Sequence, residues 1–326
     1  MNAAAAIVCA LAVIAYLCVV HSARGDALSL RIVADASGNE SLVVRGRVGW
    51  HEWSFMVDTA YAGPPVVSTS YLADPSSFAA EPAARARAVE RLISSGACRS
   101  FTSGCTMRLM GIGETTETRS DMLLCPTILP GDPWPADVLV TNPLAGSRHI
   151  LTMDYLLHRA PCIICPKRRR LFLRARSRPQ GFDWHAVENL GGSFAIDMHV
   201  DGQRMKIVVD TGASAALSLS PAAVARTTIL DQTTVGVAMH AVQVGVNGER
   251  VCSDVQYATV RLGTVEMEHV QIFANTHDVE GADGYAGMGL LRAFDLWIEP
   301  GRLGTRRSGL PVRSSRAVTE GRCSGR

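Results

Sequence analysis

The chain has 326 residues, 47% hydrophobic and 19% charged, enough to bury one large core or two ordinary ones and too apolar for a disordered chain. Its 32 basic and 30 acidic side chains leave a net charge of +2, which argues against a protein built around polyanion binding, so no nucleic-acid partner is expected. The sequence holds no Walker A loop, HExxH helix or dinucleotide fingerprint, and neither a cofactor nor a metal site is expected.

In chain order, the N-terminus "MNAAAAIVCALAVIAYLCVVHSARGDA" has no charged side chain before Arg24. Its apolar run from Ala3 to Val20 is long for a signal-peptide core and barely long enough for a spanning helix. Residues 1–27 are therefore expected to be a signal peptide or membrane anchor outside the fold. This implies the secretory pathway, with the protein secreted or held at a membrane by this segment if it is uncleaved. A sequon at Asn39-Glu40-Ser41 points the same way. Next, Val44, Gly46 and Val48 alternate into a turn at Gly49-Trp50, and a strand from Ser54 to Val57 delivers Asp58 at its end. "EPAARARAVERLISSG", Glu81 to Gly96, reads as a short helix opened by Pro82 and stopped by Gly96. "RLMGIGETTETRS" is a candidate flap, and "HILTMDYLLHRAPCIICP" closes the first half.

Seven cysteines lie beyond the N-terminal segment. In an oxidising compartment Cys98 and Cys105 are spaced to close a short loop, and others are available to pair. Cys162-Ile-Ile-Cys165 has apolar surroundings and no second such pair, which favours buried or paired thiols over a metal site. The basic run from Pro166 to Arg178 reads as a strand edge followed by solvated linker.

The second half repeats the first. With Asp58 placed over Asp210, Val48 falls on Val200 and Ser68 on Ser220 without a gap. Ile196, Met198 and Val200 alternate into Asp201-Gly202, a strong hairpin signal, and Lys206 to Val209 leads to Asp210. A closing element, "GYAGMGLLRAFDLWIEP", registers with its first-half counterpart at an offset of 135 rather than 152, placing Met153 on Met288. "VGVAMHAVQVGVNGE" is a second candidate flap. The expected organisation is an N-terminal lobe over 28–175, a linker at 176–190, a C-terminal lobe over 191–302 and a basic disordered tail at 303–326.

"IVVDTGASAALSLSPAAVAR" and "YAGMGLLRAFDLWIEP" together resemble the aspartic peptidases of the retroviral and pepsin type. The resemblance implies a mainly-β, bilobal acid-protease fold, two similar β-barrel-like lobes with short helices in one chain. It implies a peptide or protein substrate lying between the lobes. It assigns Asp58 and Asp210 as the catalytic pair, with Thr59, Ala60, Thr211, Gly212 and Ser214 supporting the active-site loops and Thr152 and Gly287 in the closing loops. Asp154, where the family often has Asp, is expected to be structural.

The chemistry is consistent with that assignment. Peptide hydrolysis by carboxyls needs one group to deprotonate a water while the other donates a proton. Two carboxyls close together do not both ionise easily, so they titrate as a coupled pair. The first lobe departs from the pattern: Ala60 stands where the second has Gly212, Tyr61 where it has Ala213, Ala62 where it has Ser214, and Thr152 where it has Gly287. Ala at 60 requires a negative φ. Three readings follow: an aspartic endopeptidase acting as a monomer, a retired module of the same fold that binds a peptide or protein partner, or a homodimer pairing two Asp210 loops.

Overall fold

The computed structural model describes residues 26–314 apart from 35–39, 49–50, 69–88, 91, 95–97, 111–114, 126–127, 131, 133–134, 142–148, 176–179, 228–238, 245–249 and 275–280. Residues 1–25 of the expected leader, the sequon asparagine, the Gly49-Trp50 turn and the tips of both candidate flaps lie outside the described residues. Asp26 and Ala27, the last two residues of the expected leader, instead belong to the fold, opening the strand Asp26–Ala34 opposite Leu173 and Phe172. Among the described residues no helix is long and apolar enough to cross a membrane. Of the helix expected from Glu81 to Gly96, residues 89–90 and 92–94 are helical and the rest are not described.

The molecule is mainly β and bilobal, and both lobes use one strand order. In the N-terminal lobe Glu40–Val48 and His51–Asp58 form an antiparallel hairpin. His51–Asp58 also runs parallel to His149–Thr152, which lies antiparallel to Val66–Ser68. Val66–Ser68 is parallel to Ala136–Thr141, and the sheet continues antiparallel through Thr115–Cys125 to Arg99–Met110. The C-terminal lobe repeats this path through Ser193–Val200, Gln203–Val209, Gly284–Ala286, Leu217–Leu219, Val265–Ala274, Arg250–Leu262 and Met239–Val244. Both candidate flaps therefore sit on antiparallel hairpins. The burial of alternate residues explains the strands: Val44, Val48, Phe55 and Val57 in one lobe, and Ile196, Met198, Val200, Ile207 and Val209 in the other, turn inward.

A six-stranded layer joins the lobes, in the order Asp183–Ala186, Arg302–Arg307, Phe294–Glu299, Cys162–Cys165, Arg170–Leu173 and Asp26–Ala34. Its central pair, with Leu296 opposite Ile164, brings a strand from each lobe together. One hydrophobic cluster runs through both lobes and this layer, from Leu30 and Leu171 to Leu296 and Leu303. Association of the lobes is thus part of the folding free energy rather than a separate docking event.

Several further expectations are corrected here. The segment read as a linker, 176–190, contains the strands Asp183–Ala186 and Glu188–Leu190. Its aromatic side chain Trp184 packs with Phe182 and edge-on to Trp297, contacts that a polar average over the segment hides. The tail read as disordered from 303 begins as the strand Arg302–Arg307, with Leu303 and Thr305 buried. It then continues to Arg313, whose amide donates to the Gly289 carbonyl (2.8 Å) and whose guanidinium, with that of Arg292, holds Glu40 of the other lobe. Finally, Cys98 pairs with Cys125 rather than Cys105, because the sheet brings those two chain positions within 4.5 Å at Cα. The basic run read as a strand edge is corrected too: Arg170–Leu173 is an interior strand, paired on one side with Asp26–Ala34 and on the other with Cys162–Cys165. Cys162 and Cys165 are free, buried thiols, and burial pushes both up to about 12.

Candidate active site

Each lobe delivers its aspartate from the end of a hairpin strand. The second hairpin turns at Asp201 and Gly202 with φ of 46° and 80°, as a two-residue turn with both φ positive requires. Immediately after the strand the chain folds back over the carboxyl. Asp58 Oδ1 accepts from the amides of Ala60 (3.0 Å) and Tyr61 (3.2 Å). Asp210 Oδ1 accepts from those of Gly212 (2.8 Å) and Ala213 (3.0 Å). Registered 152 residues apart, the two loops give the same pair of amide bonds. The two carboxyls meet between the lobes, on either side of Gly212 and close enough to shift each other's proton affinity.

The threonines lock the loops together. Thr59 Oγ1 donates to the Val209 carbonyl (2.7 Å) and accepts from the Thr211 amide (3.0 Å). Reciprocally, Thr211 Oγ1 donates to the Val57 carbonyl (2.7 Å) and accepts from the Thr59 amide (3.2 Å). Both side chains are fully buried. A buried hydroxyl needs both its donor and acceptor capacity used, and here each finds its partners in the opposite lobe. Valine would fill the same volume without these bonds, which is why the residue after each Asp is threonine.

Gly212 is required by space rather than by φ. Neither Ala60 nor Gly212 has a positive φ, so Ala60 meets the condition set by its sequence. A Cβ on Gly212 would lie 2.6 Å from Asp58 Oδ2 and 3.1 Å from Asp210 Oδ1. The missing methyl is the room in which the carboxyls meet. The departure at residue 62 is also milder than its sequence implied. Asp210 takes its bonds from backbone amides, and among the described residues no bond from the Ser214 hydroxyl reaches it. Tyr61 finds its space against the small cluster of Val66, Leu139 and Ile150.

The closing loops reach one geometry by two routes. In the second lobe Gly287 packs so tightly that a Cβ would lie 2.5 Å from the Ala215 carbonyl oxygen and 2.7 Å from that of Ala213. The Met288 amide then donates to Ala213 O (2.7 Å). In the first lobe Thr152 takes this place, capping the helical turn Met153–Leu157 and donating through Oγ1 to the Gly63 carbonyl (2.6 Å). Asp154 Oδ2 accepts from the Gly63 amide (2.7 Å), and the Met153 amide donates to Tyr61 O (3.1 Å). Asp154 is structural, as expected. The turn is secured behind by Asp132, whose Oδ2 accepts from Tyr155 Oη and Arg159 Nε, both at 2.6 Å.

The electrostatics follow from this placement. Both carboxyls are partly exposed but deeply set, and loss of surrounding water raises the proton affinity of each. Asp210 is raised further by the charge of Asp58, to about 8, against its amide bonds. The amides of Ala60 and Tyr61 counter the rise at Asp58. The pair thus shares one proton into the neutral range. Burial and the charge of Asp58 push the Tyr61 phenol above its ordinary value.

Sequence reasoning missed Ser193, whose Oγ donates across the lobes to the Ala60 carbonyl (2.5 Å). The available signal was the repeat itself, which lays Ser193 on Ser41. It also missed His149, buried beside Trp53 and Phe55 with Nδ1 accepting from the Ser68 amide (3.1 Å). Burial lowers this imidazole to about 4.

Two similar β lobes, each supplying one Asp from an Asp-Thr loop, form the arrangement that the resemblance to aspartic peptidases implies. Residues 196–291 match the family model described as aspartyl protease, so that this part of the chain is similar to the aspartic peptidases. The matched stretch lies within the C-terminal lobe. A solved structure similar to this chain is a retropepsin-like aspartic protease from Rickettsia conorii, 21% identical, with a TM-score of 0.29 over 38% of this chain and 89% of that one. No curated protein matches the chain.

Proposed function

We propose that the protein is an aspartic endopeptidase in which Asp58 and Asp210 together activate a water against a peptide bond. The observation that supports this is the carboxyl pair itself: two aspartates from different lobes, both facing the space beside Gly212, each with raised proton affinity. In the reaction, the ionised member takes a proton from a water held between the carboxyls as the water oxygen bonds to the substrate carbonyl carbon. The protonated member donates to the carbonyl oxygen, giving a neutral tetrahedral diol. The carboxyl that now holds the proton then donates it to the amide nitrogen as the C–N bond breaks, while a diol hydroxyl gives its proton to the other carboxylate as the product carboxyl forms, so the pair again shares one proton. The roles belong to the pair and not to either residue.

The lobes already bond through Thr59 and Thr211 within one chain, which favours a monomer over two paired Asp210 loops. The expected leader places the enzyme in the secretory pathway or at a membrane, and fractionation of the full-length chain tests that. Purified protein is incubated with a mixed peptide library from acidic to neutral pH, alongside Asp58→Asn and Asp210→Asn. Cleavage by the wild type and loss in both variants is the expected result. A folded wild type that binds peptides and cleaves none overturns the proposal in favour of a binding module.

A further inference from the structure

We propose that Ser193 is a positioning residue for Asp58, acting across the lobe boundary through the peptide that joins Ala60 to Tyr61. The inference rests on the endopeptidase reading above and adds a residue that neither the Asp-Thr motif nor the closing loop contains.

The carbonyl and the amide of one trans peptide point in opposite directions. In the Ala60–Tyr61 peptide, the carbonyl accepts from Ser193 Oγ at 2.5 Å, and the amide donates to Asp58 Oδ1 at 3.2 Å. Ser193, this peptide and Asp58 are therefore one chain of hydrogen bonds, running from the C-terminal lobe to a reacting carboxyl. Donation into the carbonyl polarises the peptide and strengthens its N–H as a donor. It also fixes the plane of that peptide, and with it the direction from which Asp58 Oδ1 is held.

Ser193 is built into place. Glu188–Leu190 and Ser193–Val200 form a hairpin with Leu190 opposite Ser193, turning at Gly191 and Gly192 with φ of 61° and 99°. The Gly192 amide donates to Asn189 Oδ1 at 2.6 Å, closing the turn. Gly192 then lies directly on the departing loop: a Cβ there would be 2.0 Å from the Cβ of Ala62. Ala62 is thus small for a reason, since the hairpin tip of the other lobe occupies the space beside it. Contact at Ala62 and the hydrogen bond at Ala60 bracket Tyr61, the residue whose amide reaches Asp58. The remodelled first loop is supported from the second lobe, which accounts for the loss of the small-residue pattern at 60–62 without loss of the aspartate.

The test uses the full chain with Ser193→Ala, Ser193→Thr and Ser193→Cys. Removing the hydroxyl weakens the Tyr61 amide bond to the ionised carboxylate, which makes Asp58 easier to protonate. The acid limb of the kcat/KM profile is expected to move up by about 0.1–0.7 pH unit in Ser193→Ala, from a charge-assisted bond weakened by roughly 10–30%. Ser193→Thr returns the limb to the wild-type position, and Ser193→Cys, a weak donor, falls between. A purely structural role lowers the melting temperature or the overall rate and leaves the limb where it was; that result overturns the proposal. The same shift is read independently by 13C-carboxyl NMR titration of Asp58, which needs no turnover. If the wild type cleaves nothing yet Asp58 titrates higher in Ser193→Ala, the endopeptidase reading fails and the positioning role stands. If the limb and the Asp58 titration both stay unmoved, the positioning role fails alone. Should Ser193→Ala not fold, the Ser193→Cys shift decides in the same way.

Discussion

Gly212→Ala tests the contact between the carboxyls most directly. The added Cβ would lie 2.6 Å from Asp58 Oδ2, 2.7 Å from Asp58 Cγ and 3.1 Å from Asp210 Oδ1. Ordinary carbon contacts begin near ~3.5 Å, so the Asp58 carboxyl must retreat by about 1 Å or the loop must shift by as much. The retreating groups are not the free ends of flexible side chains, since backbone amides hold both carboxyls. Overpacking of this kind costs about 1–3 kcal/mol of stability, and misplacing a reacting group by about 1 Å costs on the order of 10²-fold in rate. The reciprocal change, Ala60→Gly, removes a methyl from a loop that already accommodates one and is expected to leave the carboxyl pair intact. Kinetics on a cleaved peptide, with carboxyl NMR titration of both aspartates, measures the outcome. Gly212→Ala should lose activity and the two carboxyls should titrate more independently, with Asp210 moving down. A Gly212→Ala protein with wild-type kcat/KM and an unmoved titration refutes the claim that the missing methyl is the space where the carboxyls meet.

Thr59→Val removes two buried interlobe hydrogen bonds while keeping shape, and a loss of about 1–3 kcal/mol is expected in urea denaturation. Thr59→Val with Thr211→Val should cost less than the sum of the two, because the partners share one network. The Asp210 carboxyl, raised from 3.8 to about 8, holds a proton in the folded state that the unfolded chain releases. Its contribution is full below pH 3.8, falls as pH rises, and is lost above about 8. Asp210→Asn should therefore flatten the decline in stability over that window, measured by denaturation at a series of pH values. His149 acts in the opposite sense. Lowered from 6.5 to about 4 by burial, it stays neutral while the unfolded chain takes up a proton, so stability is present above pH 6.5 and lost as pH falls toward 4. His149→Asn retains an acceptor for the Ser68 amide and should remove the acid-side loss.

What the sequence made legible was whatever repeats or alternates. The 152-residue register of Asp58 on Asp210 corresponds to two equivalent loops, and the 135-residue register of the closing elements to two equivalent turns. Alternating apolar residues foretold the hairpin strands because one face of each strand is buried. The Cys98–Cys125 pair was not legible, since sheet topology rather than sequence distance brings the two together. The strands at 183–186 and 188–190 were hidden by Gly and Pro nearby and by the polar face that edge strands keep. Likewise Ser193, one hydroxyl on one carbonyl, carries no periodic signature. Glycine at 212 was legible as a residue but not for its reason, since backbone angles leave it free and only the opposite carboxyl excludes a side chain.

The same distinction explains why residues 196–291 match a family model and the first lobe lies outside the matched stretch. In the second lobe the closing loop approaches the active-site loop backbone to backbone, within distances that exclude a Cβ at Gly287 and Gly289. Close approach of that kind writes itself into sequence as invariably small residues. In the first lobe side chains do the anchoring: Thr152 on the Gly63 carbonyl, Asp154 on the Gly63 amide, and Ser193 on the Ala60 carbonyl. Once a hydroxyl or carboxylate spans the gap, the backbones need not touch and alanine, tyrosine and threonine become admissible. Both routes present an aspartate with two backbone amides on Oδ1. Two copies joined in one chain are not bound to be identical, so each loop is free to be supported from whichever lobe offers a partner. A motif that has lost its glycine and its serine is therefore not by itself evidence of a retired site. The discriminating feature is whether the carboxyl still receives its amides and its partner, and at Asp58 it receives both.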